Sequence, residues 1–153
     1  MLLKKFMYLL LAISLLLTAC GKKVEPTEVA VDENTSVEDI VGAIVKNKFS
    51  VEESKGIVTI SIQDTDVTEG SKSQMLKDSA KIFAELSKLK SVKTPAITWY
   101  APLTEPDGDQ TMTELLNIYF SEEDYNRVDW ANYSQINVET AATHYHEDEA
   151  LED

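Results

Sequence analysis

Residues 96–120 read AITWYAPLTEPDGDQTMTELLNIYF, and this stretch decides the fold. From Ala96 to Leu103 the apolar Ile97, Trp99, Ala101 and Leu103 alternate with Thr98 and Tyr100, the period of a half-buried strand. Pro102 implies a sheet edge or the end of the strand, because proline donates nothing to a ladder. Glu105-Pro106-Asp107-Gly108-Asp109 supplies the turn: proline fixes one φ angle and glycine accepts a positive one. Residues 111–120 alternate again, with Met112, Leu116, Ile118 and Phe120 on one side. The two runs predict an antiparallel hairpin. If alternation holds through both, Tyr100 and Tyr119 share the face away from the core with Thr98, Thr113 and Asn117.

Upstream, Ser71-Lys72-Ser73-Gln74 has the form of a capping box. Behind it Met75, Leu76, Ile82, Phe83, Leu86 and Leu89 lie along one side of a helix reaching about residue 91, with Lys88, Lys90 and Lys93 at its C-terminal end and Pro95 stopping it. Gly56 precedes the β-branched run 57–62, IVTISI, a strand with Val58, Ile60 and Ile62 on one face. A first helix is expected over 36–48, where Val37, Ile40, Val41, Ile44 and Val45 form a stripe and Lys46 and Lys48 suit the negative end of its dipole. Downstream, Ser121 caps a short helix with an acidic first turn, Glu122-Glu123-Asp124, and Val138, Ala141, Ala142 and Tyr145 predict a last helix before an acidic tail. The order α-β-α-β-β-α-α predicts an α+β domain: a small, mainly antiparallel three-stranded sheet packed against one long helix.

The chain has 153 residues, enough for one well-buried domain. Its 43% hydrophobic and 27% charged residues exclude a collagen-like or wholly disordered chain. Fourteen basic residues against 27 acidic ones leave a charge of −13, which argues against nucleic acid as a partner.

The amino terminus has its own grammar. Lys4 and Lys5 precede an apolar run from Phe6 to Leu17, followed by Thr18, Ala19 and Cys20. The run is shorter than the roughly 20 residues a bilayer span needs, and Gly21-Lys22-Lys23 ends it. Leu17-Thr18-Ala19-Cys20 resembles the lipobox of bacterial lipoproteins. That resemblance implies a signal peptide over 1–19, cleavage before Cys20, and a diacylglyceryl group on the Cys20 sulfur. Such cleavage removes Lys4 and Lys5 and leaves 12 basic residues against 27 acidic, a charge of −15. With no other cysteine, no disulfide is available to the exported domain. A single arginine, Arg127, among 13 lysines suggests an AT-rich genome and a Gram-positive host. That would put the protein on the outer face of the cytoplasmic membrane.

Residues 20–35 then read as the anchored cysteine and a flexible tether of roughly 20 Å average span, 36–146 as the domain, and 147–153 as the acidic tail. The stretch SEEDYNRVDWANY, 121–133, followed by Ala141 and Tyr145, is similar to the end of small Gram-positive lipoproteins, with Val128-Asp129-Trp130 where those have Ile-Asn-Trp. This resemblance implies no activity.

Catalytic patterns are sparse. Ser87-Lys88-Leu89-Lys90 fits S-x-x-K, but neither S-D-N nor K-T-G accompanies it, so a solvated helix face is expected. Asp64 to Gly70 alternates oxygen donors, yet the sixth and twelfth places of a calcium loop hold Glu69 and Met75, which predicts a polar loop. His144 and His146 are candidate metal ligands only if the segment is extended, where residues two apart point the same way. A helical setting and a solvated tail are expected instead, with no resident cofactor. The remaining expectation is a non-catalytic, protein-binding lipoprotein domain in the cell envelope, its partner contacting Tyr100, Tyr119 and Asn117. A small-ligand or metal carrier is the alternative.

Overall fold

The structure is a computed structural model that describes residues 30–32, 34–104 and 106–151; the expected leader, Cys20 and the expected tether up to residue 29 lie outside them. Ser36 caps α1 (Val37–Ile44), accepting from the Asp39 N–H at 3.1 Å and donating to its carboxylate at 2.8 Å. The helix buries Val37, Ile40 and Val41, and ends at Ile44 rather than at 48 because Val45 is already extended. Lys48, expected at a helix end, instead opens strand β1 (Lys48–Ser54).

A two-residue turn, Lys55 at φ 52° and Gly56 at φ 86°, folds β1 back antiparallel onto β2 (Ile57–Gln63). That left-handed pair matches the twist of a tight hairpin. The long helix α2 (Ser71–Leu86) then crosses over to β3 (Thr94–Thr104), which runs parallel to β2. Its N-cap is Gly70, without a side-chain bond; the Ser71 hydroxyl accepts from the Thr68 N–H at 2.9 Å, so the expected capping box is not formed. β4 (Gln110–Tyr119) returns antiparallel to β3 as the hairpin pattern predicts. After α3 (Glu122–Arg127), a 3-10 segment (Trp130–Gln135) and the single-turn α4 (Val138–Ala141), the chain adds β5 (His144–Glu147) antiparallel to β4.

The result is a five-stranded mixed sheet in the order β1-β2-β3-β4-β5. This overturns the expected three-stranded, mainly antiparallel sheet against one long helix. Two edge strands were hidden: β1 carries only Phe49 and Val51 as apolar residues, and β5 is four residues long with Tyr145 alone. The parallel pair follows from the α2 crossover, which returns the chain to the end of the sheet where β2 began. Pro102 is tolerated inside β3 because β2 ends opposite Tyr100, which leaves no β2 partner awaiting its missing N–H.

The helices and one sheet face enclose a single core that includes Ile40, Ile60, Ile62, Phe83, Trp99 and Leu116. Trp99 donates its ring N–H to Ser79 on α2 at 2.9 Å. Four aromatic rings, Phe83, Phe120, Tyr125 and Trp130, touch one another with centroids 5.0 to 6.4 Å apart. Their polar atoms are paired: the Tyr125 hydroxyl donates to the Phe83 carbonyl at 2.6 Å and the Trp130 ring N–H to the Tyr125 carbonyl at 2.9 Å. The Val128-Asp129-Trp130 segment is thus packed into the core by Trp130. Leu151 is 5% exposed in the same core, so the segment read as an acidic tail is pinned there by Leu151, while Glu149 and Ala150 stay exposed.

Candidate functional site

Strand alternation gives the sheet a second face. Counting from the core residues Ile60, Trp99, Leu116 and Ile118, the opposite side carries Thr98 and Tyr100 from β3, Asn117 and Tyr119 from β4, and His144 and His146 from β5. Asn117 lies opposite Thr98 and donates to its hydroxyl at 2.9 Å, and on its other side it lies opposite His146; Tyr119 lies between Ala96 and His144. Tyr100, Tyr119 and Asn117 are half-buried, whereas both histidines are exposed. The expected trio shares one face.

Thr113 does not join it. The register shifts between Trp99 and Tyr100, so that Trp99 faces Leu116, Tyr100 faces Glu114, and Leu115 is left as the extra, fully buried residue. One inserted residue reverses every side chain beyond it. Thr113 therefore pairs with the buried Ala101, and Met112, expected in the core, is 45% exposed. Glu114 takes the place beside Tyr100.

His144 and His146 were expected in a helical, solvated tail. The structure puts them two apart on a strand, so both imidazoles project from the open face. Among the described residues no group of three or more His, Cys, Asp or Glu side chains is arranged to hold a metal ion, so the pair has no third such ligand there. The Asp64–Gly70 loop likewise forms no such group; Asp64 accepts from the Asp66 N–H at 3.0 Å, as an ordinary polar turn does. The Ser87 hydroxyl of the S-x-x-K pattern donates to the Ala84 carbonyl at 2.7 Å, a local helix-end bond.

On the helix side, clefts of about 410, 500 and 360 Å³ open beside Lys72 and Leu151, beside Trp130 and Lys93, and between Ala80 and Ile136. Both histidines of the chain face the other way, so no imidazole serves these clefts. The first cleft adjoins a charged cluster that sequence spacing gave no reason to assemble. Lys72 reaches Glu147 at 2.7 Å and Glu139 at 3.6 Å, and the Tyr145 hydroxyl donates to Glu147 while lying 3.2 Å from Glu139. The hydrogen bond to Glu147 raises the Lys72 ammonium above its usual range, and the same bond holds the Glu147 carboxyl below its own. Burial, then the bond to Glu147, pushes the Tyr145 phenol far up. These are groups neutralising one another across α2, α4 and β5, an arrangement that ties strands to helices.

Compared with known proteins, the chain matches no family model, and no curated protein or solved structure is significantly similar to it. Among the described residues no helix is long and apolar enough to cross a membrane.

Proposed function

We propose that this chain is a lipoprotein held at the outer face of the cytoplasmic membrane through Cys20, and that its folded domain is a non-catalytic module that binds another envelope protein. The observation that carries the binding reading is the open sheet face, where Tyr100, Asn117 and Tyr119 stand beside two exposed histidines. Tyrosines with small polar neighbours offer large, rigid contact area at low entropic cost. The lipobox supports the anchor. One acyl chain holds only marginally at about 0.8 kcal/mol per buried CH₂, while two or three hold stably.

The anchor is tested by the mass of the isolated chain, expected to begin at an acylated Cys20; an unmodified residue 20 in a cytosolic protein ends this reading. The module is tested by pull-down from solubilised membranes. A partner retained by the wild-type chain and lost with Tyr100→Ala/Tyr119→Ala supports it, and equal recovery by both defeats it. One observation favours the carrier as a second reading: β5 aligns His144 and His146 on one side. Calorimetric titration of the untagged protein with zinc decides that, since an absence of heat at micromolar protein removes it.

A further inference from the structure

β5 is an edge strand that carries half of a ligand set. It pairs with β4 on one side, and the order β1-β2-β3-β4-β5 puts no strand on the other. Main-chain groups point alternately to the two sides of a strand, and two bonds fix which of them β5 has used. The Phe120 N–H donates to the Pro95 carbonyl of β3 at 3.0 Å, so Tyr119 and Asn117 turn their own groups toward β5, where His144 and His146 lie opposite. In the same phase, the Asp148 N–H donates to the Leu115 carbonyl at 2.8 Å. The N–H and carbonyl groups of Tyr145 and Glu147 therefore point away from β4.

His144 and His146 are exposed on the open face, and Tyr145 is half-buried on the helix side. Imidazoles suit zinc and related divalent ions, and a protein zinc site is built from four ligands in a tetrahedron. β5 supplies two. Among the described residues no group of three His, Cys, Asp or Glu side chains forms around them. A second shell is at hand, because the Asn117 amide nitrogen is committed to Thr98 at 2.9 Å and its oxygen is left to accept a ring N–H from His146 across the ladder.

We propose that two copies of the chain pair through β5, antiparallel about Tyr145, and that the four imidazoles of the two strands hold one divalent transition-metal ion such as zinc. The proposal rests on the metal reading of the histidine pair and is independent of the envelope-partner reading.

In this register the strand is its own complement. Tyr145 lies opposite its copy, and their outward N–H and carbonyl groups bond each other. His144 then stands opposite the partner's His146, and His146 opposite the partner's His144, at the positions without main-chain bonds, where side chains come closest. The four Cα atoms outline a rectangle about 4.5 Å across the strands and about 7 Å along them, so an ion above its centre is within reach of every ring. On the helix side the two Tyr145 rings meet as a cross-strand aromatic pair. Glu147 falls opposite the partner's Thr143, so no two carboxylates are opposed. Each copy carries −13 and the strand is four residues long, so pairing without the ion is weak. A divalent cation at the seam offsets that repulsion and makes association depend on metal.

The test uses the full untagged chain in detergent, with zinc chloride as the probe and native mass spectrometry as the readout. Zinc is expected to double the protein mass at one zinc per two chains, and EDTA to reverse it. X-ray absorption at the zinc edge should show four nitrogen ligands at about 2.0 Å. His146→Ala should weaken zinc binding roughly tenfold or more, and His144→Ala/His146→Ala should stay monomeric with zinc while keeping the wild-type circular dichroism. A monomer that holds one zinc overturns the pairing and keeps the carrier, whereas no zinc binding overturns both. A dimer equally present in EDTA, one that survives the double substitution, or one whose zinc has sulfur ligands overturns the four-histidine site.

Discussion

The two faces of the sheet use the same residue types for opposite purposes. On the helix side Trp99, Tyr125 and Trp130 are buried, and each polar atom is spent on a partner: Ser79, the Phe83 carbonyl and the Tyr125 carbonyl. On the open side Tyr100 and Tyr119 are only half-buried beside the exposed His144 and His146. What separates the sets is where the helices lie, because β3 alternates between the faces residue by residue, Trp99 inward and Tyr100 outward. An aromatic count therefore says little about function until each ring is assigned a face.

The largest effect should come from opening the closed side. Trp130→Ala removes one of four rings in mutual contact and leaves a cavity, which should cost about 3–5 kcal/mol in denaturant unfolding. A loss under about 1 kcal/mol would show that the quartet is not the packed centre it is drawn as. Next comes Leu151→Ala, expected to cost about 2 kcal/mol because Leu151 is 5% exposed in the core; a neutral result would return the C-terminus to the status of a solvated tail. On the open side, Tyr100→Ala/Tyr119→Ala should cost about 1 kcal/mol or less, the scale of cross-strand pairs, while abolishing capture of the proposed envelope partner. If that variant unfolds as readily as Trp130→Ala, the contrast between the faces collapses.

Much of the sheet's centre was legible, and the reasons are local. The 57–62 run, the hairpin around Gly108 and the cap at Ser121 each combine a clear period with a turn or cap residue, and the structure forms all three. The edges were not legible because an edge strand buries little: Lys48–Ser54 alternates weakly, and His144–Glu147 is too short to show a period. Of the open face, Tyr100, Asn117 and Tyr119 could be placed by alternation, but Thr113 and Met112 could not, since nothing in TMTELLNIYF marks Leu115 as an inserted residue. The histidines became neighbours of Asn117 and Tyr119 only through β5 pairing, a long-range event that sequence spacing does not encode.

The smallest effect concerns the bond that holds β5 to the helices. The Glu147 carboxyl lies below its ordinary 4.5 because Lys72, and then Tyr145, bond to the carboxylate. Folding thus favours the charged form, and this stability is complete above the unfolded value and drains away as pH falls through the lower folded one. Lys72 is shifted up from 10.5, chiefly by Glu147, so its share persists below 10.5 and is lost as pH rises through the folded value. Because both side chains are about a quarter exposed, at 27% and 24%, solvent screening limits the pair to below about 1 kcal/mol. Glu147→Gln should therefore lower the unfolding midpoint slightly at pH 7, and the gap from wild type should close as both are taken toward pH 3. A gap that stays constant across that range would mean that β5 is held by Tyr145 packing and the ladder to β4 rather than by charge. The open face would then owe its two histidines to that packing and main-chain pairing.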